Sequence, residues 1–373
     1  MCIDSIDGCI YETRMASPAQ AAVIGGAEVM KAHVLVSPGQ LELRELPMPR
    51  PDTDGIVVRV RAALTCGTDL KTYLRGHPKF ALPMLFGHEF AGEVAAVGPG
   101  VRGLREGDAV MVAPTAPCGE CYYCARQQEN LCPEVMPTMV HGAYAEFIRV
   151  PGPVVRVNVY EKPAALPFRE AALLEPLACV EHGLSFVRLR PDDSVVIVGG
   201  GAITLLHLLA LRARGCERVM VVARNPRRAD EARRMGATEV AQVDVSAVGE
   251  RVFDWTAGRG ADVVIECTGQ VDVWEKAPGL ARVGGQVVFF GGCAAGSVVR
   301  LDTARLHYDQ VQVFSPFHFT PRDVRRAFEL LADGTLCGAA LIAGEHPLED
   351  LPVALDQLRA GGGPKYAIVP NGR

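Results

Sequence analysis

Four cysteines fall within fifteen residues, spaced as Cys118-x-x-Cys121-x-x-Cys124-x7-Cys132. Four thiolates on one short loop suit the tetrahedral, sulfur-rich coordination that zinc favours. A loop this short buries no core of its own, so a bound metal would hold its shape. A nucleic-acid zinc ribbon is the rival reading and predicts flanking basic and aromatic residues. The charges here are instead Glu120, Glu129 and Glu134 against the one arginine Arg126. A second set of donors is spread along the chain: Cys66 in Cys66-Gly-Thr-Asp69, His88 and Glu89 in Gly87-His-Glu89, and Glu175 in Leu173-Leu-Glu-Pro-Leu177. These residue types also ligate zinc, but a single Cys or His taken alone is more often core.

The third signal is a glycine turn. The apolar run Val195-Val-Ile-Val198 leads into Gly199-Gly-Gly201-Ala-Ile-Thr204 and a helical stretch from Ile203 to Arg214. In a dinucleotide fold the first glycine makes the tight turn and the second lets the backbone approach the pyrophosphate, with a helix N-terminus facing the phosphates. Gly199 and Gly201 supply these two, with Ala202 and Ile203 beside them as candidate cofactor contacts. Thr204 stands where a third glycine is usual, so the helix is either pushed outward or absorbs the side chain among small neighbours such as Ala202. Taken alone the cluster also fits an ordinary tight turn; a strand before it and a strand after it argue for the nucleotide site. An NAD site carries an acid at the end of the next strand, to bond the ribose hydroxyls. That place reads Val222-Ala223-Arg224-Asn225-Pro226-Arg227-Arg228, with Ala223 instead of an acid. An acid would repel a 2′-phosphate, whereas Arg224, with Arg228 close behind, can pair with one. NADP is therefore favoured over NAD, unless these arginines are plain solvated charge.

Together these motifs resemble the zinc-containing medium-chain dehydrogenase/reductase family, and within it the polyol (sorbitol-like) and threonine dehydrogenase branch. The resemblance runs from about Met30 to Pro370 and also takes in Gly107-Asp108-Ala-Val110. It implies that Cys66 and His88 hold a catalytic zinc, with Glu89, and Glu175 directly or through water, completing the shell. The four-cysteine lobe would hold a second, structural zinc. In the ethanol-type branch a cysteine occupies the Glu175 place, so Glu175 points to the polyol-like branch, and motif register assigns the role to Glu175 rather than Cys179. The implied reaction is hydride transfer between an alcohol and the nicotinamide, the metal lowering the pKa of the hydroxyl it binds. Thr68 matches the hydroxyl that removes the proton, and Asp69 is expected to orient a neighbouring side chain. The branch usually has a relay histidine five residues after the metal cysteine, where this chain has Lys71. A lysine relays only with a lowered pKa, so the ribose hydroxyls or water offer the other route. Tyr73, His77 and His318 are expected to be structural. The implied partner is a small-molecule alcohol with a secondary hydroxyl (polyol, cyclitol or amino alcohol), and the implied assembly is a homo-oligomer, dimer or tetramer.

The elements that must position these residues fall into two kinds. From Lys31 to about Val155, short apolar runs broken by Gly and Pro, such as Gly55-Ile-Val-Val-Arg-Val-Arg61, Glu93–Val97 and Asp108–Val112, argue for an all-β barrel-like unit. From about Leu173, buried strands (Val195–Val198, Arg218–Val222, Ala261–Ile265, Gln286–Phe290) alternate with helices such as Pro226–Met235, which predicts a parallel sheet. The tail reads as a helix Val324–Leu331, a second near Leu348–Leu358 and a strand Tyr366–Val369 that could close back on the first unit. The expected fold class is α/β. Residues 1–29 form an N-terminal extension, 30–172 a GroES-like β-barrel catalytic domain, 173–320 a Rossmann doubly wound domain, and 321–373 the return to the catalytic domain. Translation starting at Met30 is the alternative to an extension.

The bulk properties agree. The chain's 373 residues suffice for two ordinary domains. A net charge of -5 offers no basic face to nucleic acid or an anionic membrane. No run of ~20 apolar residues suggests a spanning helix. The first residues carry Asp4, Asp7 and Glu12 and do not read as a signal peptide. Cys-x-x-Cys pairs without such a leader point to metal in a reducing compartment, hence the cytoplasm. Two other function classes compete. A zinc-free quinone or enoyl reductase of the same architecture should lack Cys66, His88 and the cysteine lobe. A non-enzymatic, zinc-stapled protein should keep the lobe and lose the catalytic ligands.

Overall fold

The computed structural model describes residues 28–77 and 80–372, so all but the end of the expected extension lies outside the described residues. Among the described residues the chain builds three sheets. The first is seven-stranded and runs Ile342–Pro347, Lys365–Val369, Ile56–Leu64, Phe90–Val97, Ala109–Val112, Val159–Glu161, with Phe147–Val150 also paired to Ile56–Leu64. Its central strand buries both faces over most of its length and exposes only Arg59 fully, because the sheet curls around its own core. A three-stranded sheet, Gln40–Pro47, Val29–Ser37 and Met84–Leu85, lies against it and is linked by an isolated bridge between Ala32 and Ala145.

The third sheet has six parallel strands in the order Glu239–Ala241, Val219–Val222, Val195–Val198, Ala261–Glu266, Ala281–Phe289, Gln312–Phe314. Val195–Val198 and Val219–Val222 are apolar at every position because helices cover both faces. The chain begins in the middle, moves out to one edge, then returns to the other side of Val195–Val198. That reversal opens a crevice at the carboxyl ends of Val195–Val198 and Ala261–Glu266, the usual place for a nucleotide in such sheets.

Helix Pro321–Ala332 packs Val324, Ala327 and Leu331 into the same core as Leu174, Leu177 and Leu184 of helix Leu174–Ser185. The chain then returns to the first sheet, where Ala367 stands opposite Leu64 and Ile368 opposite Ala63. Helix Gly67–Arg75 was not apparent from periodicity: it buries only Asp69 and Thr72, so no apolar stripe marks it.

One buried group ties stability to pH. His207, on helix Ala202–Ala213, is wholly buried; its Nδ1 donates to the Ile203 carbonyl at 2.9 Å, and its Nε2 has no partner. Burial lowers its pKa from 6.5 to about 4. Below pH 6.5 the unfolded chain binds a proton that the folded chain refuses, so stability falls as pH drops from 6.5 towards 4. We expect denaturation midpoints to decline less steeply over this window in His207→Leu than in the wild type.

Candidate active site

Strand Ile56–Leu64 delivers the chain to Cys66, which caps helix Gly67–Arg75 with extended backbone while its Sγ accepts from Thr68 N–H at 3.4 Å. The next turn holds Asp69, 4% exposed. His88 and Glu89 sit between Met84–Leu85 and Phe90–Val97, both buried. Gly87 before them has φ 90°, and a Cβ there would stand 2.7 Å from the Tyr144 ring, so only glycine fits. His88 Nδ1 donates to Asp69 Oδ1 at 3.0 Å, which leaves Nε2 as the nitrogen available to a ligand. Asp69 therefore orients a neighbouring side chain.

The donor atoms of Cys66, His88 and Glu89 lie within 4.8 Å of one another. Ligands around a tetrahedral zinc stand roughly 3.3–3.8 Å apart, so rotamer-scale closure would suffice. Cys66, Glu89 and Glu175 surround one buried lysine, Lys365, a donor set that suits a cation. Glu175, in the first turn of helix Leu174–Ser185, lines the same cavity but stands outside the three-residue cluster, and its Oε1 accepts from the Cys179 thiol at 3.6 Å.

The lysine escaped the sequence reading. Lys365 is 2% exposed and its Nζ donates to both Glu89 oxygens, at 2.7 and 2.5 Å, and to the Thr65 carbonyl at 3.0 Å. Burial opposes its charge, but Glu89 and Cys66 beside it hold its pKa above the ordinary lysine value. Its only sequence signal is a charge opening the otherwise apolar strand Lys365–Val369, since a charge buried in a sheet requires a partner.

A cavity of about 380 Å³ joins these residues to the glycine turn: Cys66, Thr68, Lys71, His88 and Glu175 line it together with Gly201, Ala202, Ile203, Cys267 and Phe290. Thr68 and Lys71 are exposed at this cavity. His318 also lines it, with Nε2 bonded to Thr115 Oγ1 at 2.7 Å; His77 instead stacks on Phe80, and the Tyr73 carbonyl receives Gly39 N–H.

A second cavity of about 250 Å³ continues the crevice past Gly199, Gly200, Ala223, Arg224, Arg228 and Asp244. Thr204 is fully buried and its Oγ1 stands 2.9 Å from where a Gly199 Cβ would be. Gly199 (φ 137°) thus accommodates the threonine, a different neighbour from the expected Ala202. The three arginines divide. Arg228 Nη1 donates to the Gly200 carbonyl at 2.9 Å, Arg227 to the Gly362 carbonyl, and Arg224 stays at the rim, 3.5 Å from Asp244.

In the cysteine lobe, Cys118 and Cys121 place their sulfurs 3.9 and 3.5 Å from that of Cys124, and all four sulfurs, Cys132 included, lie within 4.8 Å of one another. Sulfurs about 2.3 Å from a shared zinc would be about 3.8 Å apart. Burial pushes the Cys124 thiol up to about 12 and raises Cys132, so four thiolates coexist here only around a cation. The lobe is tied to the rest of the chain by Asn130 Nδ2 to the Phe317 carbonyl and Arg322 to Gln127. Cys118→Ser should lose about one zinc per chain and lower Tm by roughly 5 °C or more, checked by metal analysis and thermal melting.

Residues 52–158 match the alcohol dehydrogenase GroES-like domain family and residues 202–333 the zinc-binding dehydrogenase family. The chain is 29% identical to the sorbitol dehydrogenase of Bacillus subtilis, over 88% of this chain and 93% of that one. It is 32% identical to the L-threonine 3-dehydrogenase of Pyrococcus horikoshii, over 71% and 76%. The chain belongs to the zinc-containing medium-chain dehydrogenase/reductase family, on its polyol and threonine dehydrogenase branch. A crystal structure described as a zinc-binding dehydrogenase from Sinorhizobium meliloti, bound to NADP, superposes with a TM-score of 0.83 at 31% identity, covering 92% of this chain and all of that one. The seven-stranded sheet and its neighbour are the family's GroES-like domain, and the six-stranded sheet is its Rossmann domain.

Proposed function

We propose that this chain is a zinc-dependent dehydrogenase that passes a hydride between a secondary alcohol (polyol, cyclitol or amino alcohol) and NADP or NAD. The observation that carries this reading is the single cavity in which Cys66 and His88 meet the N-terminal turn of the glycine-loop helix. Cys66 and His88 would hold the catalytic zinc, with Glu175 or Glu89 supplying the carboxylate. When bound, this zinc supplies the Lewis acidity that lowers the pKa of an alcohol hydroxyl.

The chain's own residues do the rest. Thr68 Oγ1 accepts the hydroxyl proton and passes its own onward, towards the ribose hydroxyls or water. Phe290 and Leu70 give the cavity apolar wall, which would help keep water from the reacting carbon. Gly199 and Gly201 admit the pyrophosphate to the N-terminus of helix Ala202–Ala213. Ala223 would leave room for an adenosine ribose and Arg224 would pair with a 2′-phosphate, a preference that the NADP of the Sinorhizobium structure supports. Arg224→Ala should raise KM for NADP by roughly tenfold and that for NAD far less, read from parallel titrations.

That the relatives are named sorbitol and L-threonine 3-dehydrogenases supports a substrate among hydroxyl-rich or amino alcohols. The same reading includes a homo-oligomer, dimer or tetramer, in the cytoplasm, with no nucleic-acid or membrane partner. Among the described residues no helix is long and apolar enough to cross a membrane. The test is metal analysis joined to an alcohol and polyol panel run with NAD and NADP. About two zincs per chain and oxidation of at least one secondary alcohol are expected. About one zinc and no turnover would leave a zinc-stapled scaffold; no zinc would leave a quinone or enoyl reductase.

A further inference from the structure

We infer that Tyr144 is a positioning residue for the Cys66–His88 metal centre: its phenol completes the Asp69 carboxylate that orients His88. The inference rests on the reading that Cys66 and His88 hold the catalytic zinc. Asp69 is buried and uses both oxygens, Oδ1 accepting from His88 Nδ1 at 3.0 Å and Oδ2 from the Tyr144 hydroxyl at 2.6 Å. A buried carboxylate is tolerable only when its lone pairs are filled. With Oδ2 unfilled, the carboxylate has reason to rotate, and that loosens its hold on His88.

Tyr144 is built in from two directions. Its hydroxyl also lies 3.0 Å from the Leu64 carbonyl, two residues before Cys66, and its ring lies against Gly87, immediately before His88. The Tyr144 N–H donates to the Phe86 carbonyl at 3.0 Å, Ala143 N–H to the Gly87 carbonyl at 3.1 Å, and His33 N–H to the Tyr144 carbonyl at 2.9 Å. One wholly buried side chain thus touches the backbone leading to both metal ligands. Burial, reinforced by the Asp69 charge, raises the phenol well above its ordinary pKa, so it remains a donor. A phenylalanine would keep the ring against Gly87 and lose only the donor.

The test is Tyr144→Phe in the full-length, zinc-loaded protein, with zinc transfer to a chelator followed in time. The two metal centres make the experiment self-controlled. Zinc at the Cys66–His88 centre should leave roughly 10–100-fold faster, as outer-shell losses do, while the four-cysteine zinc leaves at the wild-type rate. Cobalt placed at the catalytic centre should show a shifted visible spectrum. Because Tyr144 acts through Asp69, adding Tyr144→Phe to Asp69→Asn should change the zinc loss rate less than twofold. An unchanged rate in the single variant overturns the inference. Equal acceleration at both centres also overturns it, since that is what a general packing defect does. Wild-type protein that binds no zinc at Cys66 and His88 defeats the functional reading itself; zinc bound there but indifferent to Tyr144 defeats this inference alone.

Discussion

Cys66→Ser is expected to lower turnover by about a thousandfold or more and to remove about one zinc per chain, with Tm shifted by only a few degrees. The thiolate is the sole sulfur donor of the Cys66, His88 and Glu89 cluster, and a serine hydroxyl is a far poorer zinc ligand. The fold should not notice. Cys66 is half-buried, and it caps the helix by accepting from Thr68 N–H, a role serine fills as well. The contrast with Cys118→Ser is the informative one: one cysteine serves chemistry, the other architecture. Steady-state kinetics, metal analysis and a melting curve on the same preparation decide it, and near wild-type turnover in the Cys66 variant would sink the mechanism.

The second large effect lies on stability. Lys365→Met should cost about 3–5 kcal/mol, because it strands Glu89, a fully buried carboxylate, without its cation. Glu89 is expected to respond by binding a proton. The double variant Lys365→Met, Glu89→Gln should recover part of the loss, which separates an uncompensated charge from simple loss of packing. Exposed pairs offer the control. Arg44 and Glu42 are close, at 2.7 Å, yet exposed, so Arg44→Ala should leave stability near that of the wild type. Denaturant titration at neutral pH measures all three.

The sequence is legible where one signal suffices and silent where two distant residues must be known to meet. The Rossmann strands show themselves because helices on both faces demand unbroken apolar runs, and the cysteine lobe because its four donors are adjacent. Cys66 and His88 are different: each alone reads as core, and only resemblance joined them. Lys365 and Glu89 are 276 residues apart, and nothing local in either announces the other. Thr204 looked like a misfit in the glycine turn, yet the space it needs comes from Gly199 across the turn, a contact that pattern cannot supply. Three arginines near residue 224 looked alike, and backbone carbonyls at Gly200 and Gly362 separate them. Tyr144 sits in an apolar stretch and reads as core filling, until its hydroxyl is seen to face Asp69.

The last strand, Lys365–Val369, completes a sheet begun at Ile56 and brings the cation that Glu89 requires. The order of synthesis therefore opposes the order of assembly. A ribosome that has already released the whole nucleotide-binding body still withholds the lysine that the catalytic end needs. Until then Glu89 has no buried cation, and the sheet lacks two strands at one edge. A chain arrested shortly before Lys365 would keep a nucleotide fold without a finished catalytic centre. Activity should appear only once Lys365 has been released, and nascent chains should be open to proteases longest around the metal ligands.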